Sequence, residues 1–206
     1  MKPYSRRQLL KRGVTLAGLS ALALPASAAI LTPRATEGPY YPRESMRFDD
    51  VDNDLVKVEG QLKEAGGDII YLKGKVLSTR GEPLVGYRVE IWQCDVNGKY
   101  MHPRDGRRVV YDNGFQGFGY DLTDAEGNYQ FRTIKPTIYP GRTPHIHVKV
   151  FKGDRELLTT QFYIAGHPNN SRDGIFRRLS SEQAETVSMV FNQEGGQATT
   201  YVNLVV

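Results

Sequence analysis

The chain reads as an all-β protein: a two-sheet β-sandwich forming one domain, with an irregular N-terminal arm and one short C-terminal helix. Three observations carry that reading. Six short segments are rich in β-branched and aromatic residues: Ile69 to Ser78, Arg88 to Gln93, Tyr129 to Ile134, His145 to Phe151, Leu157 to Ile164 and Thr199 to Val205. Turn-forming clusters punctuate them at Arg80-Gly81-Glu82-Pro83, Asn97-Gly98 and Asp124-Ala125-Glu126-Gly127-Asn128. No helical segments alternate with these strands, which excludes a parallel α/β sheet and leaves a sandwich or barrel. The 206 residues fit one domain of ordinary size.

Taken in order, the first element is a targeting segment. Ser5-Arg6-Arg7-Gln8-Leu9-Leu10-Lys11 precedes an apolar run from Val14 to Leu24 and a small-residue site at Ala26-Ser27-Ala28. Residues 1–28 are expected to be a twin-arginine export signal, with an ordinary secretory signal or an N-terminal anchor as alternatives, and residues 29–206 the mature domain. That places the mature protein in the periplasm or outside the cell. The apolar run is shorter than the ~18 residues a membrane-spanning helix needs, so no membrane insertion is expected after cleavage.

From Thr32 to Asp54 the chain is rich in Pro, Gly, Tyr and charge, as suits an irregular arm. The strands follow. Near the C-terminus, Ser181 to Phe191 has the pattern of a helix, with Ser181 as N-cap and Ala184, Val187, Met189 and Val190 as its apolar face.

Charge excludes one class of partner. Of 27 Lys and Arg residues, five (Lys2, Arg6, Arg7, Lys11 and Arg12) fall in residues 1–28, which hold no acid, leaving 22 against 23 Asp and Glu. A mature chain so balanced has no electrostatic footprint for nucleic acid or anionic membrane. Cys94 is the only cysteine, so no intrachain disulfide can form.

The chemistry begins at His145-Ile146-His147. On a strand, side chains alternate between faces, so the two imidazoles project together and could share one iron, copper or zinc ion. His102 and His167 lie in Pro-containing loop contexts and read as solvated. The pair alone does not choose the metal.

A longer set of motifs does. In order these are Gly81-Glu82-Pro83-Leu84-Val85-Gly86, Val89-Glu90-Ile91-Trp92-Gln93, Asn97-Gly98-Lys99-Tyr100, Phe115-Gln116-Gly117-Phe118-Gly119, Thr123-Asp124 and Gly127-Asn128-Tyr129-Gln130-Phe131. Thr133-Ile134-Lys135-Pro136, Tyr139-Pro140 and Arg142-Thr143-Pro144-His145-Ile146-His147 complete the set. Together they resemble the intradiol ring-cleavage dioxygenases over roughly 80 residues.

The resemblance implies a mononuclear non-haem Fe(III) ion held by Tyr100, Tyr139, His145 and His147. Phenolate is a hard anionic donor suited to a trivalent ion. It implies a small aromatic diol and O2 as reactants, with cleavage between the two hydroxyl-bearing carbons to a muconate-type dicarboxylic acid. Tyr139 would leave the metal and accept a proton. Arg142 and Gln161 match positions that act on the substrate, and Thr36-Glu37-Gly38-Pro39-Tyr40-Tyr41 resembles the arm over the pocket, with Tyr40 lining the substrate or packing.

Two departures stand out. Gly117-Phe118-Gly119-Tyr120 lacks an Arg that many members carry, and only five residues separate Tyr139 from His145. Neither removes a ligand, but substrate preference cannot be carried over, and a homo-oligomer is left open. The competing class is a non-catalytic transthyretin-like sandwich module, suggested by Gly74-Lys75-Val76 and by Thr123 to Phe131.

Overall fold

The computed structural model describes residues 29–206. The export-signal expectation for residues 1–28 therefore lies outside the described residues. Two five-stranded sheets pack face to face, as expected of a sandwich. Their strands are β1 (Ile69–Leu77), β2 (Arg88–Trp92), β3 (Phe118–Leu122), β4 (Asn128–Ile134), β5 (His145–Lys152), β6 (Arg155–Ile164), β7 (Ser188–Met189), β8 (Asn192–Glu194), β9 (Gln197–Tyr201) and β10 (Leu204–Val205).

In the first sheet β1 pairs antiparallel with β4 on one side and parallel with β9 and then β10 on the other, with β8 outside β9. The second runs β3-β2-β5-β6-β7. Ile70, Leu72 and Phe131 of one sheet meet Val89, Ile91, Ile146, Val148, Val150 and Phe162 of the other in one core. Each such fully buried aliphatic or aromatic side chain contributes roughly 1.5–3 kcal/mol.

The strand expected from Thr199 to Val205 is two strands. Between them Val202 N donates to the Lys73 carbonyl, while Lys75 N donates to the Asn203 side chain instead of a backbone carbonyl. That side-chain substitution breaks the ladder. β3 escaped the sequence because its Gly and Asp are poor strand formers. Gly119 is needed there: a Cβ would lie 2.3 Å from the Asp52 carbonyl of the crossing arm.

The C-terminal helix α1 is shorter than expected, Ser181–Thr186. Its N-cap is Ser180, not Ser181. Gln183 N donates to Ser180 Oγ and Ser180 N donates to the Gln183 side chain, a complete capping box. Val187 and Met189 are buried because the chain turns into β7 beside β6, and Val190 is exposed, so they form no helical face.

The arm positions the site. Ala35 N donates to the Thr159 carbonyl and Thr160 Oγ1 to the Pro33 carbonyl, so the arm runs along β6, covering an edge that would otherwise be open. It then crosses the outer face of the second sheet, where Lys149 pairs with Glu37 at 2.5 Å and Tyr41 donates to Glu90 at 2.7 Å. Ile146, Val148 and Val150 fill the core, while His145, His147 and Lys149 face the arm. Covered on both sides, β5 is buried from His145 to Phe151. No helix among the described residues is long and apolar enough to cross a membrane.

Candidate metal centre

Beneath the arm lies a second, smaller cluster of Trp92, Cys94, Tyr100 and Phe118, with Tyr40, Tyr41 and Tyr139 packed against it. Tyr100 arrives there from the Asn97-Gly98 turn. Asp95 caps that turn by accepting from Asn97 N and Lys99 N, and Gly98 takes φ +69°. A Cβ at Gly98 would sit 2.5 Å from the Ile138 carbonyl, so only glycine lets this turn pack beside Tyr139. Buried Asp105 accepts from Tyr100 N at 2.9 Å and pairs with Arg107 at 2.5 Å.

Tyr139 is set by a tight turn, Tyr139-Pro140-Gly141-Arg142, in which Arg142 N donates to the Tyr139 carbonyl at 3.1 Å and Gly141 takes φ +80°. The short interval before His145 is thus a compact reversal that brings Tyr139 and Arg142 together. Strand β5 then presents His145 opposite Tyr163 and His147 opposite Gln161.

The four rings converge. Ring centres are 5.6 Å apart for Tyr100 and Tyr139, 6.2 Å for Tyr100 and His147, 6.4 Å for Tyr139 and His145, and 4.7 Å for the two histidines. Tyr40 joins them, stacked on Tyr100 at 4.7 Å and edge-on to Tyr139 at 5.8 Å.

His145 Nδ1 lies 2.7 Å from the Thr143 carbonyl, which can only accept. That fixes the proton on Nδ1 and leaves the Nε2 lone pair free. His145 Nε2 and His147 Nε2 lie 3.1 Å apart. Burial, reinforced by the Arg142 charge, pushes His145 down to about 4 against the Thr143 hydrogen bond. Burial, then His145 and Arg142, hold His147 well below the ordinary value. Both imidazoles are therefore neutral, the form that binds metals.

Arg142 and Gln161 stand beside the rings. Arg142 Nε donates to Asp173 at 2.7 Å and its Nη2 to Gln161 Oε1 at 2.7 Å. Gln161 also accepts from Tyr163 and donates to the Thr36 carbonyl. Burial works against the Asp173 carboxylate, but hydrogen bonds from Arg142 and from the backbone of Phe176, Thr143 and Ile175 outweigh it and pull it down to about 2.

Sequence reasoning missed Asp173 and Asp105, whose side chains are fully buried. Neither lies in a motif. The hydrogen bond of Asp173 to Arg142 spans 31 residues, a separation no local pattern shows.

The donors fit a hard trivalent cation. The Tyr100 hydroxyl and His147 Nδ1 are buried without a hydrogen-bond partner, and burial holds the Tyr100 phenol well above its usual range. A cation would supply the missing partner to the phenol oxygen and draw off its proton. Among the described residues no group of three or more His, Cys, Asp or Glu gathers, so the phenols are needed to complete a donor set. A hollow of about 660 Å³ lined by Lys73, Asp121, Gln130 and Tyr201 lies elsewhere and touches none of these rings.

Residues 36–202 match a dioxygenase family model. The chain is 40% identical over 136 residues to the protocatechuate 3,4-dioxygenase beta chain of Burkholderia cepacia, covering 62% of this chain and 57% of that protein. It is 33% identical to catechol 1,2-dioxygenase of Candida albicans, covering 52% and 40%. It thus spans about half the length of the curated relatives it matches. Among solved structures, the dioxygenase domain of a dioxygenase–carbohydrate-binding fusion from Streptomyces sp. SirexAA-E has a TM-score of 0.64 at 30% identity, covering 86% of this chain and 98% of that one. A Tetranychus urticae intradiol ring-cleavage dioxygenase, 24% identical with a TM-score of 0.67 and coverage of 86% and 94%, shares the fold. These likenesses support the dioxygenase reading and not the accessory-module alternative. The chain belongs to the intradiol dioxygenase family, which in general uses non-haem iron.

Proposed function

We propose that this chain is an intradiol ring-cleavage dioxygenase that binds one ferric ion through Tyr100, Tyr139, His145 and His147. Its reactants are a small aromatic diol and O2, and its product a muconate-type dicarboxylic acid. The observation that carries this reading is the convergence of two phenols and two neutral imidazoles, with the Tyr100 hydroxyl left unpartnered, beneath one arm.

When bound, the ion supplies an electron-poor centre on which both oxygens of a diol can be held. The residues do the rest. Tyr139, half-buried at the mouth, is the donor free to swing away and accept a proton from the diol at its hydroxyl oxygen. Arg142, fixed by Asp173 and Gln161, holds a guanidinium where negative charge builds on the ring. Tyr40, Trp92 and the arm keep bulk water out.

The test is metal analysis with oxygen uptake on catechol. One iron per chain, uptake of one O2 per diol and ring opening between the hydroxyls are expected; full activity in an iron-free preparation sinks the reading. We also propose export through the twin-arginine route, with cleavage after Ala28, checked by N-terminal sequencing of protein recovered outside the cytoplasm.

A further inference from the structure

We infer that Tyr163 is a positioning residue for the reaction, acting on Arg142 through Gln161, an inference that rests on the reading just proposed. Gln161 and Tyr163 stand two residues apart on β6, so their side chains leave the same face, opposite His147 and His145 of β5. Both are buried, at 0% and 1% exposure, so water does not compete for their polar atoms.

The Tyr163 hydroxyl donates to Gln161 Oε1 at 2.9 Å, and Arg142 Nη2 donates to the same oxygen at 2.7 Å. Gln161 Nε2 donates to the Thr36 carbonyl of the arm at 2.9 Å. An amide oxygen has two lone pairs, so Oε1 is saturated. A flipped amide would set its NH2 against a guanidinium and its oxygen against a carbonyl, so one orientation is enforced.

Arg142 is held at two points. Asp173 Oδ2 accepts from Nε at 2.7 Å in a charge-assisted bond, whereas the acceptor for Nη2 is the neutral Gln161. Two anchors set the plane of a guanidinium, and the neutral one is the weaker. A second donor that pins Oε1 therefore governs how firmly the plane is held. Tyr163 can pin it because its own ring is braced, with Phe176 packed edge-on at 4.9 Å. Phe176 N also donates to Asp173 Oδ1 at 2.9 Å, so one residue backs both anchors. Phenylalanine at position 163 would fill the same space, but only a hydroxyl can reach Gln161.

The experiment compares wild type, Tyr163→Phe, Gln161→Leu and the double variant as iron-loaded enzymes turning over catechol. Tyr163→Phe keeps the ring and removes one donor. Iron content and visible absorption should match wild type. The kcat should fall about 3–10-fold with KM within about twofold, as for one neutral hydrogen bond whose effect is felt in the transition state. In the Gln161→Leu background the same change should lower kcat by less than about twofold, because the path to Arg142 is already cut. A second readout needs no turnover. In iron-free protein carrying isotope-labelled arginine, the Arg142 Nε–H signal, identified by its loss in Arg142→Lys, should exchange with solvent about 3–10-fold faster in Tyr163→Phe. An unchanged kcat or exchange rate, equal losses in both backgrounds, or loss of iron from Tyr163→Phe overturns the inference while wild-type turnover leaves the dioxygenase reading standing. Iron-loaded wild type that does not open catechol sinks that reading instead, and the exchange rate alone then decides whether Tyr163 holds Arg142.

Discussion

The His147 imidazole lies flat against the Trp92 indole, ring centres 4.6 Å apart and planes 9° from parallel. This contact replaces a hydrogen bond. His145 is aimed by the Thr143 carbonyl, but His147 Nδ1 has no partner, so on that side of the ring packing takes the place of a hydrogen bond. Trp92 covers one face, and on the arm Gly38 stands so close that a Cβ there would lie 3.4 Å from His147 Cε1.

Trp92→Leu should therefore cost about 3 kcal/mol, as for a buried aromatic replaced by a smaller side chain, and should lower iron content below one per chain. Trp92→Phe keeps a ring on His147 and should keep most of the iron. Thermal unfolding and metal analysis read the two effects separately. Equal iron loss in both variants would mean the stack does not orient His147.

Tyr100 offers a test of opposite sign in the two states. Its hydroxyl is buried without a partner, and such a group costs about 1–3 kcal/mol. In iron-free protein Tyr100→Phe should leave stability unchanged or raise it. In iron-loaded protein the same change should lower stability and weaken the visible tyrosinate-to-iron absorption. A variant that destabilises both forms alike points to a packing role only.

Lys149 fastens the arm over the site. Its ammonium is buried between Glu37 at 2.5 Å and Glu156 at 2.9 Å and lies 4.1 Å above the Tyr41 ring. In Lys149→Met both carboxylates can rehydrate, because Glu37 and Glu156 are each substantially exposed, so the global cost should be only about 1–2 kcal/mol. The arm should nevertheless loosen. Limited proteolysis between residues 33 and 50 should quicken in Lys149→Met while the sandwich stays intact; an unchanged cleavage rate would show that the Ala35 and Thr160 hydrogen bonds suffice.

The sandwich was legible because its strongest strands are long β-branched runs bounded by glycine turns, as in β1, β5 and β6. What failed to read was short or polar: β8 is wholly exposed, and β3 contains a glycine chosen for the Asp52 carbonyl rather than for strand formation. At the site, ring donors with regular spacing or motif context could be named from sequence, and the structure brings those rings together. Their supports could not, because Asp173, Thr143 and Trp92 act through contacts between distant segments, and a carbonyl or an indole face carries no sequence signature.

Those supports include two carboxylates that should govern acid stability. Asp173 holds Arg142 and Thr143 N, and Asp105 holds Tyr100 N and Arg107, so both brace residues of the proposed centre. For each, burial favours the neutral acid but the hydrogen bonds it accepts from a guanidinium and from backbone N–H groups prevail, leaving both at about 2, below their ordinary value of 3.8. A carboxyl depressed in the folded state stabilises fully above its unfolded value and loses that contribution as pH falls through the folded one. The window is therefore about pH 4 down to about pH 2. At pH 7 Asp173→Asn should be less stable than wild type by about 3 kcal/mol, the cost of stranding a partly buried Arg142. Because the wild-type carboxylate is itself lost in acid, that gap should close as pH falls from 4 towards 2, followed by urea unfolding of the iron-free proteins at each pH. A gap that stays constant across this range would show that Asp173 acts through shape rather than charge.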